Sequence, residues 1–247
     1  MPDDLVPVEL TSTVPPDRTA LTLLECGDVE LEGRLPWSSN ATFLVTVTSG
    51  AEICRAVYKP GRGERPLWDF PHGLYRREVA AYRLSEALGW GLVPPTVLRD
   101  GPLGEGSFQL FIAADFEQHY YTLYEQRPDL HPQLITMCAF DILANNTDRK
   151  SGHVLLGPGD RLWGVDQGLC FSPEFKLRTV IWEFGGQSVP EALLPPIRSM
   201  AASVPLDLAA LLDDDEIEAL QHRARILTKD PTLPVDTTGR RYPWPMV

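Results

Sequence analysis

Asn146-Thr147-Asp148-Arg149 and Val165-Asp166-Gln167-Gly168, whose aspartates stand 18 positions apart, decide how this chain is read. Each segment sets one aspartate just beyond an apolar run, Phe140-Asp141-Ile142-Leu143-Ala144 before the first and Trp163-Gly164-Val165 before the second. Between them Val154-Leu155-Leu156 and a Gly/Pro turn have the composition of a hairpin of short strands, which would present both acids to one cleft. Asparagine tolerates turn conformations, so a helix running into Asn145-Asn146 should end there and leave Asp148 on a loop. Asp166 is an acid in an otherwise apolar strand. Such a group needs compensation, and a divalent cation is the simplest source. Each aspartate also has an ordinary reading: Asp148 as part of a polar turn, Asp166 as an acid capped by its own turn.

Upstream, Ala41 to Thr48 is β-branched and apolar, Ser49-Gly50 punctuates it, and Glu52 to Tyr58 alternates well enough to be the second strand of a hairpin. Lys59 ends that strand. A lysine at the end of a buried strand wants an anionic partner. Glu78 lies 19 positions on, inside a segment whose apolar residues Leu74, Val79, Tyr82, Leu84 and Leu88 recur at helical spacing, with Gly89 as its stop. A solvated strand end and an exposed helix acid are the plainer alternatives for this pair. Gly91 to Leu98 and Ser107 to Ala113 are expected as two further strands, and Leu21 to Leu35 as a strand or short helix. Ala114 to Pro132 is expected as a polar connector, and Leu134 to Leu143 as a helix. A mainly helical region broken by prolines follows.

The 247 residues suffice for one large domain or two small lobes, and 43% apolar with 23% charged residues is a globular composition. A formal net charge of −12 argues against broad binding to nucleic acid or to an anionic membrane surface. Cys26, Cys54, Cys138 and Cys170 lack metal-ligand spacing and are expected as buried free thiols. The five histidines form no HxxxH or HxH pair, so a zinc hydrolase lacks support. No apolar run approaches the roughly 20 residues that cross a bilayer. The acidic N-terminus has no signal-peptide core, so the cytosol is the expected compartment and no integral membrane association is expected.

A lysine, a helix glutamate and two acids in this order are what phosphoryl transfer from ATP uses. One acid orients the attacking hydroxyl and takes its proton, the other holds magnesium, and the lysine grips the phosphates. The expected fold is α+β, a two-lobed protein-kinase-like arrangement with a small β-rich N-lobe and a mainly helical C-lobe. Its expected divisions are a flexible segment 1–18, a nucleotide-binding small lobe 19–113, a catalytic large lobe 114–228 and a tail 229–247. Gly33 to Asn40, with Ser38, Ser39 and Asn40, is the candidate phosphate cover, because small polar residues leave backbone N–H groups free for phosphate oxygens. Neither GxGxxG nor a Walker A sequence is present, which disfavours P-loop and Rossmann nucleotide sites.

Asn146-Thr147-Asp148-Arg149 followed by Val165-Asp166-Gln167-Gly168-Leu169 resembles the catalytic and metal-binding segments of the phosphatidylinositol 3-/4-kinase superfamily. The type II phosphatidylinositol 4-kinases, with their N-T-D-R and I-D-N-G-L patterns, and uncharacterised bacterial proteins grouped with that superfamily are nearest. The resemblance covers roughly residues 33–185. It implies Lys59 as phosphate lysine, Glu78 as its ion-pair partner, Asp148 as catalytic acid-base and Asp166 as metal ligand. Arg149, counted with Asp148 and Lys59 as catalytic, would contact phosphate or tie down its loop. The superfamily's second metal ligand, an asparagine five positions after the catalytic aspartate, is replaced by His153. Magnesium prefers oxygen to imidazole. One metal ion, manganese in place of magnesium, recruitment of Asn145 or Asn146, and a degenerate nucleotide site all fit that replacement. The implied activation loop is Ser172 to Gly186. In it Lys176 and Arg178 would meet a negatively charged acceptor, while Ile181, Trp182 and Phe184 would pack into the large lobe.

The expected function is therefore transfer of the γ-phosphate of ATP, with Mg²⁺ or Mn²⁺, to an alcohol on a protein, small molecule or lipid. A nucleotide-binding pseudokinase and transfer of AMP on the same scaffold are the alternatives. The acidic run Asp213-Asp214-Asp215-Glu216 is expected to start a helix, whose dipole it complements. The proline-rich tail is expected to wrap its own domain rather than dock a partner.

Overall fold

The computed structural model describes residues 17–35 and 40–246. A five-stranded antiparallel sheet in the order β1-β2-β3-β5-β4 builds the N-terminal lobe. Its strands are β1 (Asp28–Arg34), β2 (Phe43–Ser49), β3 (Glu52–Pro60), β4 (Thr96–Gly101) and β5 (Gly104–Leu110). β2 and β3 form the expected hairpin, in which Val45 faces Ala56 and Val47 faces Cys54. These residues are on the buried back face, which packs on Ala20, Leu23 and Leu24 of helix α1 (Asp17–Cys26). The alternate residues, Val57 and Lys59, are on the opposite face.

Three expectations for this lobe need correction. Asp17 and Arg18 open α1 rather than closing a flexible segment, and residues 1–16 lie outside the described residues. The apolar spacing Ala20, Leu23, Leu24 is what makes this stretch a helix against the sheet. Residues 91–95 are not strand, because Pro94 and Pro95 offer no N–H to a ladder; β4 starts at Thr96. Cys26 is exposed, whereas Cys54, Cys138 and Cys170 are buried, and all four are free thiols.

Helix α2 (Leu74–Ala87) packs against β4 and β5 and ends at Gly89, whose φ of 67° is the left-handed stop expected of it. The expected connector holds a helix of its own, α3 (Tyr120–Gln126). Tyr120 and Leu123 bury its inner side, and Thr122 Oγ1 accepts a bond from His119 N at its start. The large lobe is built around α4 (His131–Ala144), whose Leu134, Met137, Cys138, Ala139, Phe140 and Leu143 are all buried. The two-stranded hairpin β6 (Val154–Gly157) and β7 (Arg161–Gly164) follows, then α5 (Leu194–Ala202), α6 (Leu206–Ala209) and α7 (Asp214–Lys229). Asp213 and Glu216 form a capping box at the start of α7. Residues 230–246 run back across the lobe. Leu233 is buried, Arg241 O accepts from Thr179 N at 3.1 Å, and Met246 O accepts from Ser151 N at 2.8 Å. Among the described residues no helix is long and apolar enough to cross a membrane.

Candidate active site

Lys59 leaves β3 on the face that lines the cleft between the lobes. Its ammonium donates to Glu78 Oε1 and, at 2.8 Å, to Asp166 Oδ1. Glu78 is 2% exposed, and its second oxygen accepts from Gln167 N at 2.9 Å. One lysine thus joins β3, α2 and the segment after β7. Burial works against the charge on Lys59, but the Asp166 and Glu78 carboxylates outweigh it and hold the ammonium above its ordinary pKa. The Lys59 charge in turn holds the Asp166 carboxyl well below the usual range, against the cost of burial, with His153 adding to the effect. Asp166 adopts φ 59°, a left-handed conformation uncommon for a residue other than glycine. Such strain is a mark of functional positions.

The structure brings Asp148, Asp166 and His153 to the same wall of the cleft. His153 Nε2 is 3.5 Å from Asp166 Oδ2, and its Nδ1 accepts from Lys150 N at 3.4 Å. Burial pushes the imidazole down to about 4, with Asp166 opposing, so the ring is neutral near pH 7. Burial pushes the Asp148 carboxyl up to about 6; Lys150 opposes this, and Asp166 adds to it. Lys150 stands 3.3 Å from Asp148 Oδ2.

Arg149 is a correction. Its guanidinium is fully buried and does not line the cleft. It pairs with Asp141 (Nη2 to Oδ1, 2.8 Å) and donates to Gln167 Oε1 and to the carbonyls of His153 and Val165. Of its two expected roles, only tying down the loop matches this geometry. Asp141 also accepts from Asn146 Nδ2 and Thr179 Oγ1, so one buried acid ties the Asp148 loop to Thr179, while Arg149 and Asn146 carry the link on to Gln167 beside Asp166. Sequence reasoning missed Asp141, although an acid inside the buried run Cys138–Leu143 was the available signal. Asn145 is the left-handed cap of α4, and its side chain binds Ser172 O, Glu174 O and Lys176 N. Asn146 is spent on Asp141, Gln167 and Asp148 N. Both asparagine side chains are thus committed to holding the loops together.

The cleft has a volume of about 810 Å³. Val57, Leu110, Ile112, Leu155 and Val165 line its apolar part, Gln109 and His153 are polar, and Lys59, Asp148, Lys150 and Asp166 line its charged part. Asn40 lines the mouth with Oδ1 held by Arg65 N at 3.0 Å, while Ser38 and Ser39 lie outside the described residues. In the expected activation loop Leu177, Val180, Ile181 and Phe184 are buried. Lys176 Nζ meets Asp69, and Arg178 is exposed. Among the described residues no three His, Cys, Asp or Glu side chains gather closely enough to cage a metal ion. The carboxylates that line the cleft, Asp148 and Asp166, are the donor type that magnesium takes, one or two of them with water and substrate phosphates completing its shell.

No family model matches the chain. Among solved structures it resembles Fam20 from hydra, determined with sugar, at a TM-score of 0.54 and 14% identity, covering 86% of this chain and 87% of that one. The proinflammatory kinase CtkA of Helicobacter pylori superposes with a TM-score of 0.48 and 11% identity over 84% of this chain and 93% of that one. The fold is α+β, two-lobed and kinase-like. In sequence the chain is 38% identical to Protein Rv2133c of Mycobacterium tuberculosis over 260 aligned positions, 90% of this chain and 94% of that protein. Identity of that extent over nearly the whole of both chains places this protein in the same family as Protein Rv2133c.

Proposed function

We propose that the protein is a kinase-like phosphotransferase that moves the γ-phosphate of ATP to an alcohol, in the manner of the phosphatidylinositol 3-/4-kinase superfamily. The observation that carries this reading is Lys59, held between Glu78 of the small lobe and Asp166 of the large lobe at the wall of an 810 Å³ cleft. Val57, Leu155 and Val165 offer apolar walls for a base. Lys59 grips phosphate oxygens, with Glu78 fixing its direction. Asp148 accepts the proton of the acceptor hydroxyl; its raised pKa of about 6 suits a base working near neutrality. Lys150 neutralises charge beside it. Asp166, with His153 next to it, would hold a divalent ion that neutralises charge on the phosphates. The lobes divide near residue 113, with the large lobe at 114–228 and the tail at 229–247. Four free thiols fit a reducing cytoplasm.

A thermal-shift titration with ATP plus Mg²⁺, and ATP plus Mn²⁺, tests the reading, since a ligand of the native state must raise the melting temperature. A metal-dependent rise that Asp166→Ala abolishes is expected, and no rise with either metal would sink it. Transfer of labelled γ-phosphate to candidate protein, lipid and sugar acceptors then separates turnover from binding. Asp148→Asn should keep nucleotide binding and lose transfer. A nucleotide-binding pseudokinase is the second reading, favoured by His153 at the position of the superfamily's asparagine. It expects the same thermal rise with no product from any acceptor. Movement of label from the α-phosphate instead would identify AMP transfer.

A further inference from the structure

At the inner end of the cleft Gln109 of β5 is paired with Val57 on one side and Thr96 on the other, so the three side chains share the cleft face of the sheet. Gln109 lines the cleft and is 8% exposed; Thr96 behind it is fully buried. Thr96 Oγ1 donates to Pro94 O at 2.7 Å and accepts from Gln109 Nε2 at 3.0 Å. A backbone carbonyl can only accept, so the hydroxyl proton is committed to Pro94. The hydroxyl then has only lone pairs to offer Gln109, which must turn its NH₂ toward Thr96. This chemistry, rather than the placement of one amide, fixes which end of Gln109 faces which way. The remaining end carries the carbonyl oxygen Oε1; the bond to Thr96 is the one side-chain hydrogen bond that Gln109 makes among the described residues.

We propose that Gln109 selects the base of the bound nucleotide: Oε1 accepts a hydrogen bond from an exocyclic amino group, so the cleft takes an aminopurine and rejects a 6-oxopurine. This rests on the cleft being a nucleoside triphosphate site. Adenine offers an N–H donor at its 6-position. Hypoxanthine and guanine place a carbonyl oxygen there, which would set two acceptors against each other in a nearly dry corner. A site built to pair with a donor rejects the analogue that lacks it, because the buried acceptor is left unpaired. The Thr96 relay is what prevents the amide from turning over to accommodate the wrong base.

The test compares ATP with inosine triphosphate, both with Mg²⁺, by calorimetric titration of the full-length protein. The wild type should bind ATP roughly tenfold or more tighter, the loss of about one hydrogen bond. Gln109→Leu should weaken ATP binding and leave inosine triphosphate nearly unchanged, bringing the ratio toward one. Thr96→Val, close to isosteric, should also narrow the ratio while nucleotide binding persists, because the amide is freed to turn. A purely structural role for Thr96 would weaken both nucleotides equally. Equal binding of the two nucleotides to the wild type overturns the base selection alone, as does an unchanged ratio in both variants. If neither nucleotide binds, the phosphotransferase reading falls with it. Should Gln109→Leu fail to fold, Thr96→Val carries the same comparison.

Discussion

Lys59 holds its charge between two carboxylates from different lobes, and each of them loses its main counter-charge if the lysine goes. Lys59→Met should lower transfer about 100-fold or more, the scale of removing one electrostatic contact to a transition state. Asp148 behaves in the opposite sense. Its folded pKa, about 6, lies above its ordinary value of 3.8, so the fold favours the protonated form. Its stabilising contribution is complete below the ordinary value and is lost as pH rises through about 6. Asp148→Asn should therefore make the nucleotide-free protein more stable at pH 7.5, by up to about 3 kcal/mol, and change little at pH 3.5. Melting temperatures at the two pH values read this directly, and equal shifts at both would refute it. Arg149 belongs to neither class. Removing one partner of its fully buried pair with Asp141 leaves an uncompensated charge, so Arg149→Ala should cost about 3–5 kcal/mol by denaturant unfolding.

At the scale of elements, α2 carries Glu78 toward the cleft and Arg77 toward the large lobe. Arg77 pairs with Glu216 of α7 and donates to Cys170 O at 3.1 Å. Glu216 also caps α7 through Asp213 N at 3.0 Å. The helix that orients Glu78 is therefore fastened to the lobe that carries Asp166. Glu216→Ala should cost more than the roughly 1 kcal/mol of an ordinary cap, because buried Arg77 loses its partner as well. A loss of 1 kcal/mol or less would show the pair to be incidental. The helices α2 and α4 were legible from their apolar residues and a glycine or asparagine stop, and the start of α7 from its acidic run. The short helix α3 and the onset of β4 were not, because burial of two side chains and a pair of prolines overrode weak local patterns.

At the scale of the whole molecule, the C-terminal tail is part of the large lobe. It bonds to Ser151, three residues beyond Asp148, and to Thr179, which itself bonds Asp141. Truncation after residue 239 removes these bonds. It should lower the melting temperature and raise hydrogen exchange at Ser151 and Thr179 while α4 stays protected. Unchanged exchange at both amides would show that the loop is held without the tail. The cleft likewise belongs to no single element, since β3, β5, the Asp148 loop and the segment after β7 each supply part of its wall.

The sequence by itself determined the β2-β3 hairpin, the helices α2 and α4, the α+β two-lobed class and the positions of the two aspartates beyond apolar runs, because hydrophobic period and turn chemistry are local. It also named Lys59 and Glu78, since a lysine closing a buried strand and a glutamate inside a helix point to an ion pair. It left the role of Arg149 open, because its partner Asp141 lies in another element and a loop arginine looks the same whether it faces a phosphate or a buried acid. The commitment of Asn145 and Asn146 to the backbone, the hold of one lysine on both lobes and the fixed direction of the Gln109 amide were decided by tertiary structure alone. In each case the deciding atom is a hydrogen-bond partner distant in sequence, and burial, which makes such a partner obligatory, exists only once the lobes have packed.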